Sequence, residues 1–165
     1  MLIRIYRPSD LPTLHRIDRS CFPRGVAYSL AELRSFIESD CSVTLVAEDE
    51  QGHIGGFILA QVEPLTRRRP QGMPALRVGH IVTIDVLPEY RSRGIGTKLL
   101  GQAEEWLQQR KAEMVLLETA TDNEPAISFY RKHGYTVVDL LEDYYPDGLD
   151  AYLMGKRISH RSACF

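Results

Sequence analysis

"PEYRSRGIGTKLL", residues Pro88 to Leu100, stands between an apolar, β-branched run and a stretch of helical period. How this segment is read decides the fold. Ahead of it, Val78 to Leu87 carries Val78, Ile81, Val82, Ile84 and Val86, a strand-prone composition. Behind it, Leu99, Leu100, Ala103, Trp106 and Leu107 share one helical face, which predicts a helix to about Arg110. A glycine-rich turn feeding a helix aims several backbone N–H groups at one point, and the helix dipole adds partial positive charge there. Gly94 and Gly96 let an anion reach the main chain unobstructed, while Arg91 and Arg93 supply cations. A plain helix-capping turn with solvated arginines has the same composition, so the loop alone leaves both readings open.

Two other phosphate loops are excluded. A Walker loop requires Gly-Lys-Ser/Thr, but Lys98 follows Thr97 and precedes Leu99. A dinucleotide fingerprint requires a third glycine three residues after Gly96, where Leu99 stands.

Working outward, Leu2 to Arg7 alternates apolar and basic residues and reads as a strand. Pro8-Ser9-Asp10 then breaks it and caps a helix through Leu11, Leu14, Ile17 and Cys21. Ser29 with Glu32 forms a capping-box pattern for a second helix to about Ser39, its apolar face Leu30, Leu33, Phe36 and Ile37. Val43 to Glu48 and His53 to Glu63 read as strands joined at Glu50-Gln51-Gly52. Pro64 to Arg77 is a loop whose Arg67-Arg68-Arg69 could meet acidic partners or simply be solvated.

Met114 to Thr119 is a short strand, and Asn123-Glu124-Pro125 opens a helix that Gly134 closes. Two last strands, about Tyr135 to Leu141 and Asp150 to Arg157, flank a turn at Tyr144-Tyr145-Pro146-Asp147-Gly148. The order β-α-α-β-β-β-α-β-α-β-β predicts an α/β fold with a mixed sheet and helices on both faces.

The chain of 165 residues suits one domain, expected to span residues 1–158 with 159–165 as a loose tail. A formal net charge of −2 calls for neither nucleic acid nor an anionic membrane. No apolar run is long enough to cross a bilayer, and the charged first residues do not read as a signal peptide. Cys21, Cys41 and Cys164 lack metal-ligand spacing and fit reduced thiols in the cytoplasm. No metal is expected. His80 and His133 have no ligand partners at helical or hairpin spacing and read as ordinary strand or surface residues.

"VTIDVLPEYRSRGIGTKLL" followed by "LLETATDNEPAISFYRKHGY" closely resembles the Gcn5-related N-acetyltransferase (GNAT) superfamily. The likeness is sharp from Val78 to Tyr135 and follows the element order over about residues 1–157. Arg91-Ser92-Arg93-Gly94-Ile95-Gly96 matches the family's coenzyme A pyrophosphate loop, and Asn123, Ala126, Tyr130, Gly134 and Tyr135 match its second signature. Within the family the chain looks most like the ribosomal-protein and Ard1-type N-terminal acetyltransferases, through Cys21-Phe22-Pro23 and the stretch Asp143 to Met154. It departs from the Ard1 type in lacking a carboxylate in Arg24-Gly25-Val26-Ala27, and from the ribosomal-protein type in having Ala120 where an arginine often stands.

The resemblance implies a mostly antiparallel sheet with one splayed parallel pair, and direct transfer of acetyl from acetyl-CoA to an amine. It implies that Ile84, Asp85 and Val86 meet the pantetheine arm, and that Arg91, Arg93, Gly94, Ile95, Gly96 and Thr97 hold the diphosphate. Asn123, Ala126 and Tyr130 would complete the coenzyme site. Glu118 is the candidate base and Tyr130 the candidate acid; a strand-end glutamate and a core tyrosine are the plainer alternatives. Phe22, Tyr28, Tyr144 and Tyr145 would line the acceptor cleft, or else be surface aromatics. The expected acceptor is a protein N-terminus; a small amine, or a non-catalytic acyl-CoA-binding module, is the alternative. The chain is expected to act as a monomer or homodimer.

Overall fold

The computed structural model describes residues 1–23, 25–63 and 77–158. Arg24, the Arg67–Arg69 segment, Cys164 and the expected tail at 159–165 lie outside the described residues. Among those described, seven strands and four helices follow the predicted order: β1 (Leu2–Ile5), α1 (Leu11–Cys21), α2 (Leu30–Ile37), β2 (Ser42–Glu48), β3 (Ile54–Glu63), β4 (Val78–Val86), α3 (Ile95–Gln109), β5 (Met114–Ala120), α4 (Glu124–Lys132), β6 (Thr136–Leu141) and β7 (Ala151–Arg157). The strands form one sheet ordered β1-β2-β3-β4-β5-β7-β6. Its single parallel ladder among the described registers pairs Val78, Gly79 and His80 with Met114, Val115 and Leu116.

The chain divides into two compact units, Met1–Gln61 with Ile81–Ala103, and Val62–His80 with the chain from Glu104 onward. In the first, Leu11, Leu14 and Ile17 of α1 and Leu33 of α2 pack with Val46, Phe57 and Leu59 of the sheet. The Ser29 capping box forms in both directions: Glu32 N–H reaches Ser29 Oγ at 3.2 Å, and Ser29 N–H reaches Glu32 Oε2 at 2.8 Å. Two details differ from expectation. Leu30, placed on the apolar face of α2 by period, is 40% exposed because it opens the helix and precedes its first inward turn. β1 ends at Ile5 rather than Arg7, since Arg7 turns to receive the loop before α1, its N–H donating to Asp10 at 2.7 Å.

In the second unit, Met114, Leu116 and Leu153 form the apolar centre, flanked by Val78, Val138 and Leu141. β7 pairs antiparallel with both β5 and β6, so it sits between strands that precede it in sequence. Tyr135 is fully buried, and its hydroxyl donates to Glu104 at 2.8 Å. Lys156 reaches the same carboxylate at 2.8 Å, which makes Glu104 a shared acceptor tying α3 to β7 and the start of β6.

Candidate active site

The loop after β4 gains its shape from left-handed residues. Ser92 has φ 59° and Gly94 φ 73°, and helix α3 begins at Ile95. A Cβ on Gly94 would touch nothing, so conformation and not space demands glycine there. Arg91 Nε donates to the Val86 carbonyl at 2.8 Å, and the Arg93 guanidinium lies 5.7 Å from the Tyr90 ring centroid. Both arginines therefore brace the loop while leaving positive charge beside it. The N–H groups of Gly94, Ile95 and Gly96 open α3, where no earlier turn can receive them; buried Ile95 anchors that end and Thr97 is exposed on it. Such a turn fits a diphosphate.

On β4 the run Ile84-Asp85-Val86 leads into this loop. Gly56 of β3 passes so near that a Cβ on it would lie 2.5 Å from the Asp85 carbonyl oxygen. The Asp85 side chain is buried, and Thr83 Oγ1 donates to its Oδ1 at 3.2 Å. Burial, reinforced by the charge of Asp18, pushes the Asp85 carboxyl well above the usual carboxylate range. Burial likewise pushes Asp18 up to about 6, against the pull of the Tyr28 N–H, which donates to it at 2.7 Å. Among the described residues, Asp18 Oδ1 and Asp85 Oδ2 have no hydrogen-bond partner. Nearby, Phe22 ends α1 half-buried, and the Tyr28 ring packs edge-on against Phe36 with its hydroxyl 3.4 Å from the Val82 carbonyl.

The second unit holds the titratable cluster. Glu118 lies within β5 two residues beyond Leu116, the partner of His80 in the parallel ladder, so both side chains share a sheet face. Their contact is short: His80 Nε2 lies 2.6 Å from Glu118 Oε2. The other ring nitrogen, Nδ1, lies 3.4 Å from Glu63 Oε1 at the end of β3. Burial disfavours the imidazolium, but the hydrogen bond and charge of Glu118, with the charge of Glu63, outweigh it and hold His80 above the ordinary histidine value. His80 is thus no ordinary strand residue. Its partners lie 38 and 17 positions away in sequence, beyond any helical or hairpin spacing.

The sequence profile of the acetyltransferase (GNAT) family matches residues 11–135. The chain belongs to that family. The curated N-alpha-acetyltransferase of Sulfolobus acidocaldarius is 35% identical to this GNAT protein over 155 residues, 92% of this chain and 89% of that one. The crystal structure of Chaetomium thermophilum Naa20 in complex with a bisubstrate analogue is 32% identical with a TM-score of 0.82, covering 97% of this chain and 88% of that one. The structure of Arabidopsis thaliana NAA60 in complex with acetyl-CoA, at 23% identity and a TM-score of 0.81, covers 95% and 98% and matches in fold.

Asn123 caps α4, its Oδ1 accepting the Ala126 N–H at 3.2 Å, so the Asn-x-x-Ala pattern has a direct structural reason. Tyr130 is buried beside Ile127, with the Phe129 and Tyr135 rings edge-on to it at 5.4 and 5.7 Å. Tyr144 and Tyr145 stand edge to face at 5.0 Å in the turn before β7. Burial, then Tyr144 and the charges of Glu118 and Asp122, push the Tyr145 phenol up to about 12. Tyr145 and Glu118 therefore share one electrostatic environment. His133 is an ordinary helix-end residue, its Nδ1 2.7 Å from the Phe129 carbonyl. Sequence reasoning missed His80, Glu63 and Asp18 as site residues, and it singled out Asp85 for its backbone without foreseeing its buried side chain. The signal open to it was alternation: Glu63 at the end of β3, His80 on β4 and Glu118 on β5 all fall at partly exposed positions of their strands.

Proposed function

We propose that this GNAT N-acetyltransferase acetylates the α-amino group of protein N-termini. The observation that carries this reading is the 2.6 Å contact between His80 and Glu118. An ammonium group cannot attack a thioester until it loses a proton, and a protein α-amine titrates near 7.7–8.0, against about 10.4 for lysine. A histidine held above its ordinary value by a carboxylate is a base of matching strength. Glu118 and His80, in contact at 2.6 Å, accept that proton as one coupled unit.

Acetyl-CoA supplies the activated thioester, and every other task falls to the chain. The main-chain amides opening α3, with Arg91 and Arg93, hold the diphosphate. The backbone of Ile84-Asp85-Val86 takes the pantetheine arm and offers an N–H to the thioester oxygen as negative charge develops there. Tyr130 protonates the departing thiolate. Phe22, Tyr28, Tyr144 and Tyr145 grip the acceptor peptide. The relatives support the acceptor: the Sulfolobus acidocaldarius protein is named an N-alpha-acetyltransferase, and the Naa20 structure holds a bisubstrate analogue. Mass spectrometry of cellular N-termini with and without the protein tests the reading. A set of N-termini that loses α-acetylation without it is expected; an unchanged N-terminal inventory contradicts it.

A further inference from the structure

Glu63 ends β3 with its carboxylate 3.4 Å from His80 Nδ1, on the ring edge opposite Glu118. All three side chains are about four-fifths shielded from solvent, with exposures of 23%, 19% and 23% for Glu63, His80 and Glu118. We propose that Glu63 is a positioning residue for acetyl transfer that acts through His80, setting how strongly its ring holds a proton. This inference rests on the reading of Glu118 and His80 as the base.

The argument is one of lone pairs. A neutral imidazole has one N–H and one bare nitrogen. With Nε2–H donated to Glu118 at 2.6 Å, the bare Nδ1 faces the Glu63 carboxylate, and two electron-rich atoms oppose each other. Adding a proton to Nδ1 turns that repulsion into an ion pair, so Glu63 favours the imidazolium. The carboxylate facing the second nitrogen thereby raises the basicity of the ring, as a neighbouring carboxylate does for a histidine elsewhere. Among the described residues, the charged groups acting on His80 are Glu63 on β3 and Glu118 on β5, and Tyr145 in turn feels the charges of Glu118 and Asp122.

In Glu63→Gln the amide N–H can donate to the bare Nδ1 and favour the neutral ring. The His80 midpoint, followed by NMR of the full-length protein and assigned by its loss in His80→Gln, is expected to move to lower pH. The acidic limb of kcat is expected to move with it, and the plateau to fall by roughly threefold to tenfold, since a weaker base takes the proton less readily. The acetyl-CoA KM stays unchanged. Glu63→Asp keeps the charge and restores part of both shifts, which separates the effect from misfolding. A His80 midpoint unmoved in Glu63→Gln overturns the proposal, and so does a midpoint that moves while the kcat limb stays. Full kcat in His80→Gln instead sinks the reading of His80 as part of the base, whatever Glu63 does.

Discussion

Arg91 Nε donates to the Val86 carbonyl at 2.8 Å, closing the main chain from the end of β4 round to the glycine loop. The same carbonyl faces Cys21 Sγ at 3.7 Å, so two donors hold the last residue of the strand. An arginine of the glycine loop thus spends part of its bonding on the loop's own frame. Arg91→Ala is expected to weaken acetyl-CoA binding by about tenfold, in line with one hydrogen bond and one nearby cation. Arg91→Lys recovers little of this, because the ammonium cannot reproduce the Nε geometry. Calorimetric titration with acetyl-CoA measures both, and unchanged affinity in Arg91→Ala contradicts the bracing role.

His80→Gln and Glu118→Gln are each expected to lower kcat by roughly 10²–10⁴. With the two proposed to act as one base, the double variant is expected to fall little further than either single one. Additive losses in steady-state kinetics would show that they work separately.

Stability and activity follow His80 in opposite directions. Its folded-state value is raised, so its stabilising contribution is complete below the unfolded value of about 6.5 and is lost as pH rises through the folded value. With His80 as the proposed base, transfer needs the neutral ring, so kcat is expected to climb over that same interval. Thermal melts of the wild type and Glu118→Gln between pH 6 and 9 read the stability half. The variant is expected to give the flatter curve, and parallel curves would contradict the coupling.

Asp18 is buried with one oxygen unpartnered, and burial pushes its carboxyl up to about 6. A raised carboxylate value means that ionising it costs stability, a cost that appears as pH climbs from about 3.9 through 6. Asp18→Asn keeps an oxygen for the Tyr28 N–H and removes the charge, so its melting temperature at pH 8 is expected to equal or exceed that of the wild type. A large loss at pH 8 would mean that the ionised carboxylate is needed.

Gly56 and Gly94 separate space from conformation. Gly56→Ala would place Cβ 2.5 Å from the Asp85 carbonyl oxygen and is expected to cost about 1–3 kcal/mol as the strands part. Gly94→Ala meets no neighbour, and its left-handed φ of 73° costs about 1–2 kcal/mol. The first is expected to lower the melting temperature more, and the second to raise the acetyl-CoA Kd more. Identical effects on both readouts would contradict the distinction.

Local chemistry made most of the fold legible. The Ser29 box, the Asn123 cap and the glycines of the α3 loop are written in neighbouring residues, and the elements formed in the expected order with small shifts at their ends, as at β1. The position of β7 between β5 and β6 was not written there, because strand order depends on pairings far apart in the chain. The candidate site divides in the same way. Asn-x-x-Ala and the glycine loop are contiguous, whereas the Glu63–His80–Glu118 cluster exists only after three strands have aligned. Asp85 was singled out for its backbone, and nothing local announced that its side chain would be buried near a second carboxylate.

Incubating the purified chain with acetyl-CoA, a peptide bearing a free α-amine, its α-blocked counterpart with a free lysine, and a panel of small amines tests the central claim most directly. Product mass spectrometry is expected to place one acetyl group on the α-nitrogen of the first peptide, with that product strongly reduced in His80→Gln. Acetylation confined to the small amines, or no consumption of acetyl-CoA with any of these acceptors, would contradict it.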